Sequence, residues 1–395
     1  MVNHPIKYPY SRPSVDNADA SAVSAVLKSH FLTQGPEVKK LECELQTVFG
    51  TKYAIVLNSA TASLHAVYNK ICSSDKDIVL VSSITFASTA TASLMVGATP
   101  MFVDVDPSTG NMCPIHLQAM LEKYGHRVRA VALTHMAGRA ANVGHFSEIV
   151  KSFDCNLIED ASHAPLAEYN YCNQVYKVGE CAHSKATILS FHAIKHISAG
   201  EGGAILTNCH DLANAALIFR SHGMIKDKDL CKNAKLNPES TYYEIQELGY
   251  NYRLSDIHSA LARSQLRKLE KKIKKLDKLS KVYWNELHDL RFITLPELNS
   301  SGLRKSVWHL YPVLIDFDCL PFSRNELMDR LGGHGIQTQI HYIPLYKMPI
   351  FNCAELKLSC TESYYHKVIS LPMHQELSEK DVVFISHTLK KLIEA

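Results

Sequence analysis

The sequence predicts an α/β fold in which a mostly parallel sheet carries helices on both faces, followed by a smaller α+β unit. Short apolar runs typical of buried strands alternate with helical patterns from residue 53 to about residue 222, and such βαβ repetition requires parallel strands. After a helical stretch at residues 256–287 the pattern changes to separate strands and helices. We therefore predict a large domain at residues 1–265, and a bridging helix with a small domain at residues 266–395.

Two helices are predicted before the first strand. Residues 8–13 form an extended entry, and Asp16 then caps a helix that ends near residue 30. The loop HFLTQGP at residues 30–36 is closed by Gly-Pro and leads to a second helix that ends near Phe49.

The alternating elements follow in order. Strands are predicted at residues 53–57, 78–82, 101–105, 128–133, 156–158, 186–191 and 203–207, with helices between most of them and a further helix at residues 211–222. A polar, lysine-rich stretch at residues 224–240 is a candidate loop over the ligand site. The small domain should contain strands at residues 307–316 and 336–341, a helix at residues 323–331 and a helix from about residue 378. In such a fold, ligands bind at the carboxyl ends of the parallel strands.

Composition and charge exclude several classes of protein. The 42 Lys and Arg against 39 Asp and Glu give a charge of +3, which is too balanced for a nucleic-acid or membrane-surface binder. The 11 cysteines form no C-x-x-C pair, which argues against a disulfide framework and a structural zinc site, and we expect no metal. The start lacks a signal-peptide pattern, and no run of about 18 apolar residues could span a bilayer. We expect a reduced, cytoplasmic protein.

Small hydroxyl residues follow the first predicted strand. Ser59, Ala60 and Thr61 begin a helix, whose free backbone N–H groups and dipole favour a bound anion such as a phosphate. The same letters also make an ordinary helix N-cap. Taken alone, this motif leaves both interpretations open.

Charged and polar residues mark two other strand ends. The run EDASHA places Asp160 and His163 after one strand. The connection SFHAIKHISAGEGG presents Ser190 and Lys195 between two apolar strands. A lysine there can simply be a solvated loop residue, but in a dry site it loses its proton readily and becomes a nucleophile toward carbonyl groups.

These segments together carry a family resemblance. The run SFHAIKHISAGEGGAILTN closely resembles the cofactor-lysine loop of the DegT/DnrJ/EryC1/StrS group of sugar-nucleotide aminotransferases. YSRP, FLTQGP, NSATASLH, EDASHA, RSHGM, NYRLSDI and QIHYIP extend the resemblance over nearly the whole chain. The resemblance implies the fold-type-I architecture of pyridoxal 5'-phosphate (PLP) enzymes and a homodimer.

The resemblance also implies roles for the strand-end residues. Lys195 matches the lysine that holds PLP and moves the proton during catalysis, Ser59, Ala60 and Thr61 would bind the cofactor phosphate, and Ser190 would also contact the cofactor. Asp160 would keep the ring nitrogen protonated, because a facing anion holds that proton. The remaining cofactor contacts would be Phe86 stacked on the pyridine, His163 at the phenolic oxygen, and Asn251 reaching the phosphate of the neighbouring subunit. Phe86 is otherwise a core phenylalanine and Asn251 a residue that only flanks a helix cap.

A second implied set of residues contacts the substrate. It comprises Tyr10, His30, Phe31, Leu32 and Thr33 near the start, Asn251, and Gln339, His341 and Tyr342 in the segment QTQIHYIPLY. The loop at residues 30–36 can equally be a plain helix connection. Within the family, the sequence is most similar to members of the pseudaminic-acid pathway, which aminate C4 of a UDP-linked 2-acetamido-2,6-dideoxy-4-keto-hexose with L-glutamate as the donor and 2-oxoglutarate as its product.

Other activities stay open at this point. The substrate can be another UDP- or dTDP-4-keto-6-deoxyhexose, or a 3-keto sugar. Some members of the superfamily are dehydratases that carry histidine in place of the lysine, and His196 follows Lys195 here, although the spacing from Ser190 puts the lysine in register. A PLP-fold sensor without turnover is the non-enzymatic alternative.

Overall fold

The computed structural model describes residues 5–233, 239, 241–300, 302–353 and 355–394. Its strands are β1 (Tyr53–Leu57), β2 (Ile78–Ser82), β3 (Thr99–Val103), β4 (Val128–Thr134), β5 (Asn156–Asp160), β6 (Glu168–Tyr171), β7 (Gln174–Lys177), β8 (Ala186–Ser190), β9 (Gly203–Thr207), β10 (Met224–Ile225), β11 (Glu244–Ile245), β12 (Ile293–Thr294), β13 (Tyr311–Ile315) and β14 (Val368–Leu371). Its α-helices are α1 (Asn17–Leu27), α2 (Pro36–Phe49), α3 (Ala60–Ile71), α4 (Ala87–Leu94), α5 (Pro114–Tyr124), α6 (Val143–Lys151), α7 (His210–Phe219), α8 (Asp256–Leu266), α9 (Leu269–Leu287), α10 (Arg324–Gly333), α11 (Ser359–Lys367) and α12 (Glu379–Glu394).

The large sheet has the strand order β1-β9-β8-β5-β4-β2-β3. Strands β8, β5, β4, β2 and β3 are parallel, and β9 runs antiparallel to both of its neighbours. Because β1 and β8 are each antiparallel to β9, β1 points the same way as the parallel strands. The predicted mostly parallel sheet is confirmed, and six strands end at one edge.

Helices cover both faces of this sheet. Successive residues of β1 alternate between two cores, Ala54 and Val56 packing with Leu45 of α2, and Ile55 and Leu57 packing with the residues of α3 on the other face. Strands buried on both faces read as continuous apolar runs, which is why β2 and β9 are apolar or buried at every position.

A second, smaller sheet lies in the C-terminal part of the chain. Its order is β12-β13-β14, with antiparallel neighbours, and α9, α10 and α12 pack against it around Tyr283, Tyr311, Leu327 and Ile385. Helix α9 connects the two parts, because Ile273 belongs to a core of the large sheet and Leu276 to the core of the small one. The division at residues 265/266 stays a prediction.

Three predicted elements differ from the structure. The strand predicted at residues 307–316 begins only at Tyr311, because residues 307–310 form hydrogen bonds with the Met136–Gly138 turn instead of a sheet neighbour. The long helix predicted at residues 256–287 is two helices, α8 and α9, interrupted by a turn at residues 267–268, where the ammonium group of Lys268 forms ion pairs with Asp16 and Asp19. Residues 336–341 form no strand, because their backbone pairs with different neighbours at single positions, Tyr8 on one side and Ser370 on the other. Of the predicted polar loop, residues 234–238 and 240 lie outside the described residues, and its described part includes the short β10–β11 pair.

The described part of the chain contains neither a helix that could span a membrane nor a cluster that could hold a metal ion. None of the described helices is long and apolar enough to cross a membrane. Within the same described ranges, no group of three or more His, Cys, Asp and Glu side chains is arranged to hold a metal ion.

Candidate active site

The candidate site forms where the parallel strands end. Asp160 is the last residue of β5, Ser190 is the last residue of β8, and β1 leads through Asn58 into the N-terminus of α3. Because these strands point the same way and lie near one another in the sheet, their ends bring the three features to one edge.

The N-terminus of α3 offers free hydrogen-bond donors. Ser59 is the N-cap, and its hydroxyl accepts a hydrogen bond from the N–H of Ala62 at 3.0 Å, whereas the first N–H groups of a helix have no partner within the helix. The residues that carry them, Ala60 and Thr61, are only partly buried. The start of α3 packs closely against Gly203 of β9. Only glycine allows this contact, since a Cβ atom at residue 203 would lie 2.4 Å from the backbone nitrogen of Ala60.

Asp160 is buried and held by two donors. Its carboxylate accepts from the hydroxyl of Thr89 at 2.7 Å and from the N–H of Ser162 at 3.1 Å. Hydroxyl contacts continue from Thr89 to Thr85 at 3.1 Å and from Thr85 to Thr134 at 2.8 Å. A carboxylate has about four acceptor positions, so Asp160 can still accept a hydrogen bond from a ligand.

The preceding residue, Glu159, points to the opposite face of β5. It accepts from Ser184 at 2.5 Å, Thr187 at 2.8 Å and His135 Nε2 at 3.0 Å. The other ring nitrogen of His135 accepts from the N–H of Ala141 at 3.1 Å, which assigns the proton to Nε2. This second carboxylate therefore has three protein donors, one more than Asp160.

Lys195 lies in the connection between β8 and β9. Its Nζ is 3.2 Å from Nε2 of His309. Burial lowers the pKa of the Lys195 amine to about 8, and the negative charge of Asp160 opposes part of that effect. A larger fraction of the amine is thus uncharged near neutral pH than for an exposed lysine.

Buried histidines surround this amine. The rings of His163 and His309 are 4.3 Å apart, and the Tyr342 hydroxyl lies 3.2 Å from Nε2 of His163. Burial, reinforced by the positive charge of Lys195, holds the pKa of His163 and of His309 well below the usual value and lowers that of His341 to about 3. The cluster is therefore uncharged at neutral pH and adds hydrogen-bonding capacity without positive charge.

His309 is the main site residue that the sequence did not reveal. Residues 307–310 precede β13 and bind the turn at Met136–Gly138, with the N–H of Val307 donating to the Gly138 carbonyl at 3.0 Å. A Cβ atom on Gly138 would meet the His309 nitrogen at 2.8 Å, and the φ of Gly138 is +97°. A glycine at 138 thus allows the approach that brings His309 to Lys195, and no motif around SVWHLYP signals it.

Several predicted substrate residues, and Phe86 from the predicted cofactor set, lie beside this cluster. The ring of Tyr10 is 5.6 Å from that of His341, and the rings of Phe86 and Tyr342 are 6.3 Å apart. Phe86 is 59% exposed at the start of α4, so one face of its ring is open to a ligand. Gln339 is exposed, and its backbone pairs with Ser370.

The other predicted residues have their contacts elsewhere in the chain. Residues His30, Phe31, Leu32 and Thr33 are exposed, and their loop binds the start of α8, where the N–H of Asp256 donates to the Leu32 carbonyl at 3.0 Å. Asn251 is also exposed, and its backbone pairs with Ser221. The roles of these five residues in binding stay predictions.

His196 does not take the place of the lysine. Its Nε2 lies 2.9 Å from the carbonyl oxygen of Val307, so the ring fixes the 307–310 segment. Lys195, one residue earlier, is the side chain that reaches the histidine cluster. This placement argues against the dehydratase alternative.

The residues present fit pyridoxal phosphate. Nδ1 of His163 is buried without a hydrogen-bond partner in the described structure, and Asp160 has spare acceptor capacity. The α3 N-terminus with Ser59, Ala60 and Thr61 suits the phosphate. Lys195 supplies the amine, so each polar part of the cofactor has a matching group.

Comparisons with known proteins gave a family and full-length relatives. The sequence profile described as the DegT/DnrJ/EryC1/StrS aminotransferase family matches residues 13–390. A Campylobacter jejuni protein called UDP-4-amino-4,6-dideoxy-N-acetyl-beta-L-altrosamine transaminase is 35% identical over 389 residues, covering 98% of this chain and 97% of the relative. A Helicobacter pylori protein of the same name is 34% identical over 398 residues, covering 98% of each.

Solved structures show the same architecture. Helicobacter pylori PseC, described as an aminotransferase involved in the biosynthesis of pseudoaminic acid, superposes with a TM-score of 0.87 at 32% identity, covering 98% of this chain and 99% of that one. The PLP form of a sugar aminotransferase from Streptococcus pneumoniae superposes with a TM-score of 0.86 at 22% identity, covering 98% of each chain.

Proposed function

Because the chain belongs to the DegT/DnrJ/EryC1/StrS aminotransferase family, we propose that it transfers the amino group of L-glutamate to C4 of a UDP-2-acetamido-2,6-dideoxy-4-keto-hexose. The product would be UDP-4-amino-4,6-dideoxy-N-acetyl-β-L-altrosamine, a step in pseudaminic-acid formation. As a member of this family, the protein is a PLP-dependent sugar aminotransferase. The observation that carries the specific substrate is its full-length similarity, at 34–35% identity, to relatives named for that activity.

The chemistry divides between the cofactor and the chain. Pyridoxal phosphate, when bound, supplies an electron sink for the carbon that carries the amine. Lys195 Nζ holds the cofactor and moves the proton between the reacting carbons as base and then as acid. His309 Nε2, 3.2 Å away, accepts a hydrogen bond from that amine and orients it.

Two other residues tune the site. Asp160 would hold the proton of the cofactor's ring nitrogen, because its buried carboxylate has acceptor capacity left. His163 would donate from its unpartnered Nδ1 to the phenolic oxygen, since the Tyr342 hydroxyl serves its other nitrogen.

The proposed sugar pocket lies between Tyr10, His341 and Tyr342, beside the Phe86 ring that would stack on the cofactor. These aromatic walls with polar tips suit a sugar that presents an acetamido group and a C6 methyl. A sugar that leaves a buried polar group unpaired loses about 1–3 kcal/mol for each such group, so epimers should be discriminated rather than excluded.

We also propose a cytoplasmic homodimer with a shared site. Large apolar side chains are exposed on the loop at residues 30–33, with Phe31 at 54% and Leu32 at 49%, as expected of a surface that a second copy covers. In this arrangement the loop and Asn251 would serve the partner's Lys195. All 11 cysteines are free thiols, which suits a reducing compartment.

Substrate competition tests the assignment. The purified enzyme is given L-glutamate with the L-arabino 4-keto sugar or its D-xylo epimer, and 2-oxoglutarate and the amino sugar are followed by mass spectrometry. We expect faster amination of the L-arabino compound. Preference for the D-xylo epimer, or for a dTDP sugar without the acetamido group, would refute the substrate while leaving the aminotransferase activity intact.

Subunit mixing tests the shared site. Lys195→Ala and Asn251→Ala chains are each expected to be inactive, but their heterodimer would hold one site with both residues intact, so part of the activity should return. Absence of recovery after verified subunit exchange would refute a shared site.

A further inference from the structure

A cavity extends from Lys195 to the extended segment before α1. Its walls include Arg12 on that segment, Lys195 and His196 in the loop after β8, Lys272 on α9, His309, and His374 after β14. We call it the Arg12–Lys272 cavity. No carboxylate of the described residues lines it, so the cavity is rich in positive charge and N–H donors.

Lys272 is the buried cation of this cavity. It is 7% exposed, and its Nζ donates to two uncharged acceptors, the carbonyl of His196 at 3.2 Å and the side-chain oxygen of Gln265. Burial lowers the pKa of Lys272 to about 8. In the described part of the chain it forms no ion pair with a carboxylate, and its ammonium group has a third N–H to donate.

Two buried histidines in the wall add no free donor to the cavity. His196 is 3% exposed and donates from Nε2 to the carbonyl of Val307, so its unpaired Nδ1 is an acceptor, while His374 is 6% exposed and has the backbone of Pro9 as a neighbour. Arg12 is exposed and forms no ion pair within the described structure. The donors left for a ligand are therefore the guanidinium of Arg12 and the third N–H of Lys272, and both call for an acceptor from outside the described residues.

We propose that the Arg12–Lys272 cavity binds a carboxylate group of the amino donor and of the oxo acid formed from it. This inference rests on the proposed function, because it assigns where the L-glutamate used by that reaction is held. A carboxylate accepts several charge-assisted hydrogen bonds at once, and a guanidinium and an ammonium are the groups that supply them most strongly.

Size and position favour the donor over the sugar nucleotide. The cavity is small, with about 30 Å³ open to the centre of a water-sized sphere, which leaves room for a group the size of one carboxylate and none for a nucleoside diphosphate sugar. The cavity also reaches Lys195, where the nitrogen of the donor must arrive, and both carboxylates of glutamate lie within a few bonds of that nitrogen. The diphosphate would then be bound outside this cavity.

Binding of an unreactive dicarboxylate tests the proposal directly. Glutarate has the carbon skeleton of glutamate without the amine, and its affinity for the holoenzyme is measured by calorimetry. Arg12→Gln and Lys272→Met should each weaken glutarate binding roughly tenfold, the order expected for one charge-assisted hydrogen bond. The affinity for UDP, measured in the same way, should stay unchanged, and KM for glutamate should rise without a rise in KM for the UDP sugar. Arg291→Gln, at an exposed arginine outside the cavity, is the matched control.

The binding measurements either support or overturn the proposed carboxylate site in the Arg12–Lys272 cavity. Unchanged glutarate affinity in Arg12→Gln would overturn the proposal even if Lys272→Met failed to fold, because Arg12 is exposed on an extended segment. Weakened UDP binding with unchanged glutarate binding would assign the cavity to the diphosphate and also overturn it. Weakened glutarate binding in an enzyme that does not aminate the UDP sugar would uphold the carboxylate site and refute only the substrate assignment.

Discussion

Two adjacent carboxylates at the end of β5 face opposite sides of the sheet and differ in how they are satisfied. The Glu159 side comprises Glu159, His135, Ser184 and Thr187, and all three neighbours donate to the carboxylate. The Asp160 side comprises Asp160, Thr89 and Ser162, with two donors. Both carboxylates are almost fully buried, at 2% and 5% exposure, so burial does not separate the functional one from the structural one. The number of protein donors does separate them, because Glu159 has three and Asp160 only two, which leaves Asp160 more acceptor positions for a ligand.

The largest difference should appear when each carboxylate is neutralised. Asp160→Asn should lower kcat roughly a thousandfold, the order that positioned proton-holding groups contribute, with little loss of thermal stability. Glu159→Gln should instead cost about 1–3 kcal/mol of stability, because it leaves a buried donor poorly paired, while folded molecules keep most of their activity. Steady-state kinetics and thermal unfolding on both variants check this. Equal losses of kcat in Asp160→Asn and Glu159→Gln would contradict the assignment of different roles to the two carboxylates.

Acidification should act on the histidines around Lys195. Their folded-state pKa values are depressed, that of His341 to about 3, whereas an unfolded histidine titrates near 6.5. Below about pH 6.5 the unfolded chain therefore binds more protons than the folded one, and stability falls as pH falls, by about 1.4 kcal/mol per pH unit for each such group. The stability linked to these histidines is fully present above the unfolded-state pKa of about 6.5, and it is lost as the pH falls below that value.

The acid effect is measured as melting temperature against pH. The slope between about pH 6.5 and pH 5 should be smaller in His309→Gln than in the wild type, since the variant removes one depressed histidine. His126→Gln, at an exposed histidine, is the control and should keep the wild-type slope. An unchanged slope in His309→Gln would contradict the prediction.

The smallest effects should come from single hydroxyl donors. Thr89→Val and Thr187→Val each remove one hydrogen bond to a carboxylate with little change of shape. Thr187→Val should cost about 1 kcal/mol of stability and leave kcat unchanged. Thr89→Val should lower kcat severalfold, because Asp160 loses a fixed partner on the side that faces the ligand. The same changes in stability and kcat in Thr89→Val and Thr187→Val would contradict the proposed difference between the Asp160 side and the Glu159 side.

Sequence patterns predicted one part of this site well and another part poorly. Ser59, Asp160, Ser190 and Lys195 follow apolar strands, and the topology of a parallel sheet brings such ends together, so their proximity could be anticipated. His309 could not, because its position depends on a contact between residues 307–310 and the Met136–Gly138 turn, far away in sequence. Periodicity reports burial on a strand or helix and carries no information about such an irregular segment.

The same limit explains the misjudged elements. The turn at Lys268 preserves the helical spacing of apolar residues on both sides, so the pattern appears as one continuous helix. Residues 336–341 have the alternation of a strand but find only single partners on each side. Secondary structure that depends on a neighbour is decided by tertiary contacts.

The pairing of β1 with β9 has a consequence for how the polypeptide is made. Tyr53 pairs with Thr207, so the first strand to leave the ribosome has to wait for about 150 further residues before its partner exists. Until then the apolar residues of β1 stay unpaired and open to association with other chains. Long-range pairing of this kind slows folding, since the entropy of closing a long loop precedes any gain from the contact. We expect the nascent chain to depend on chaperones until β9 has been synthesised, and the anion-binding start of α3 to acquire its final geometry only after that strand has docked.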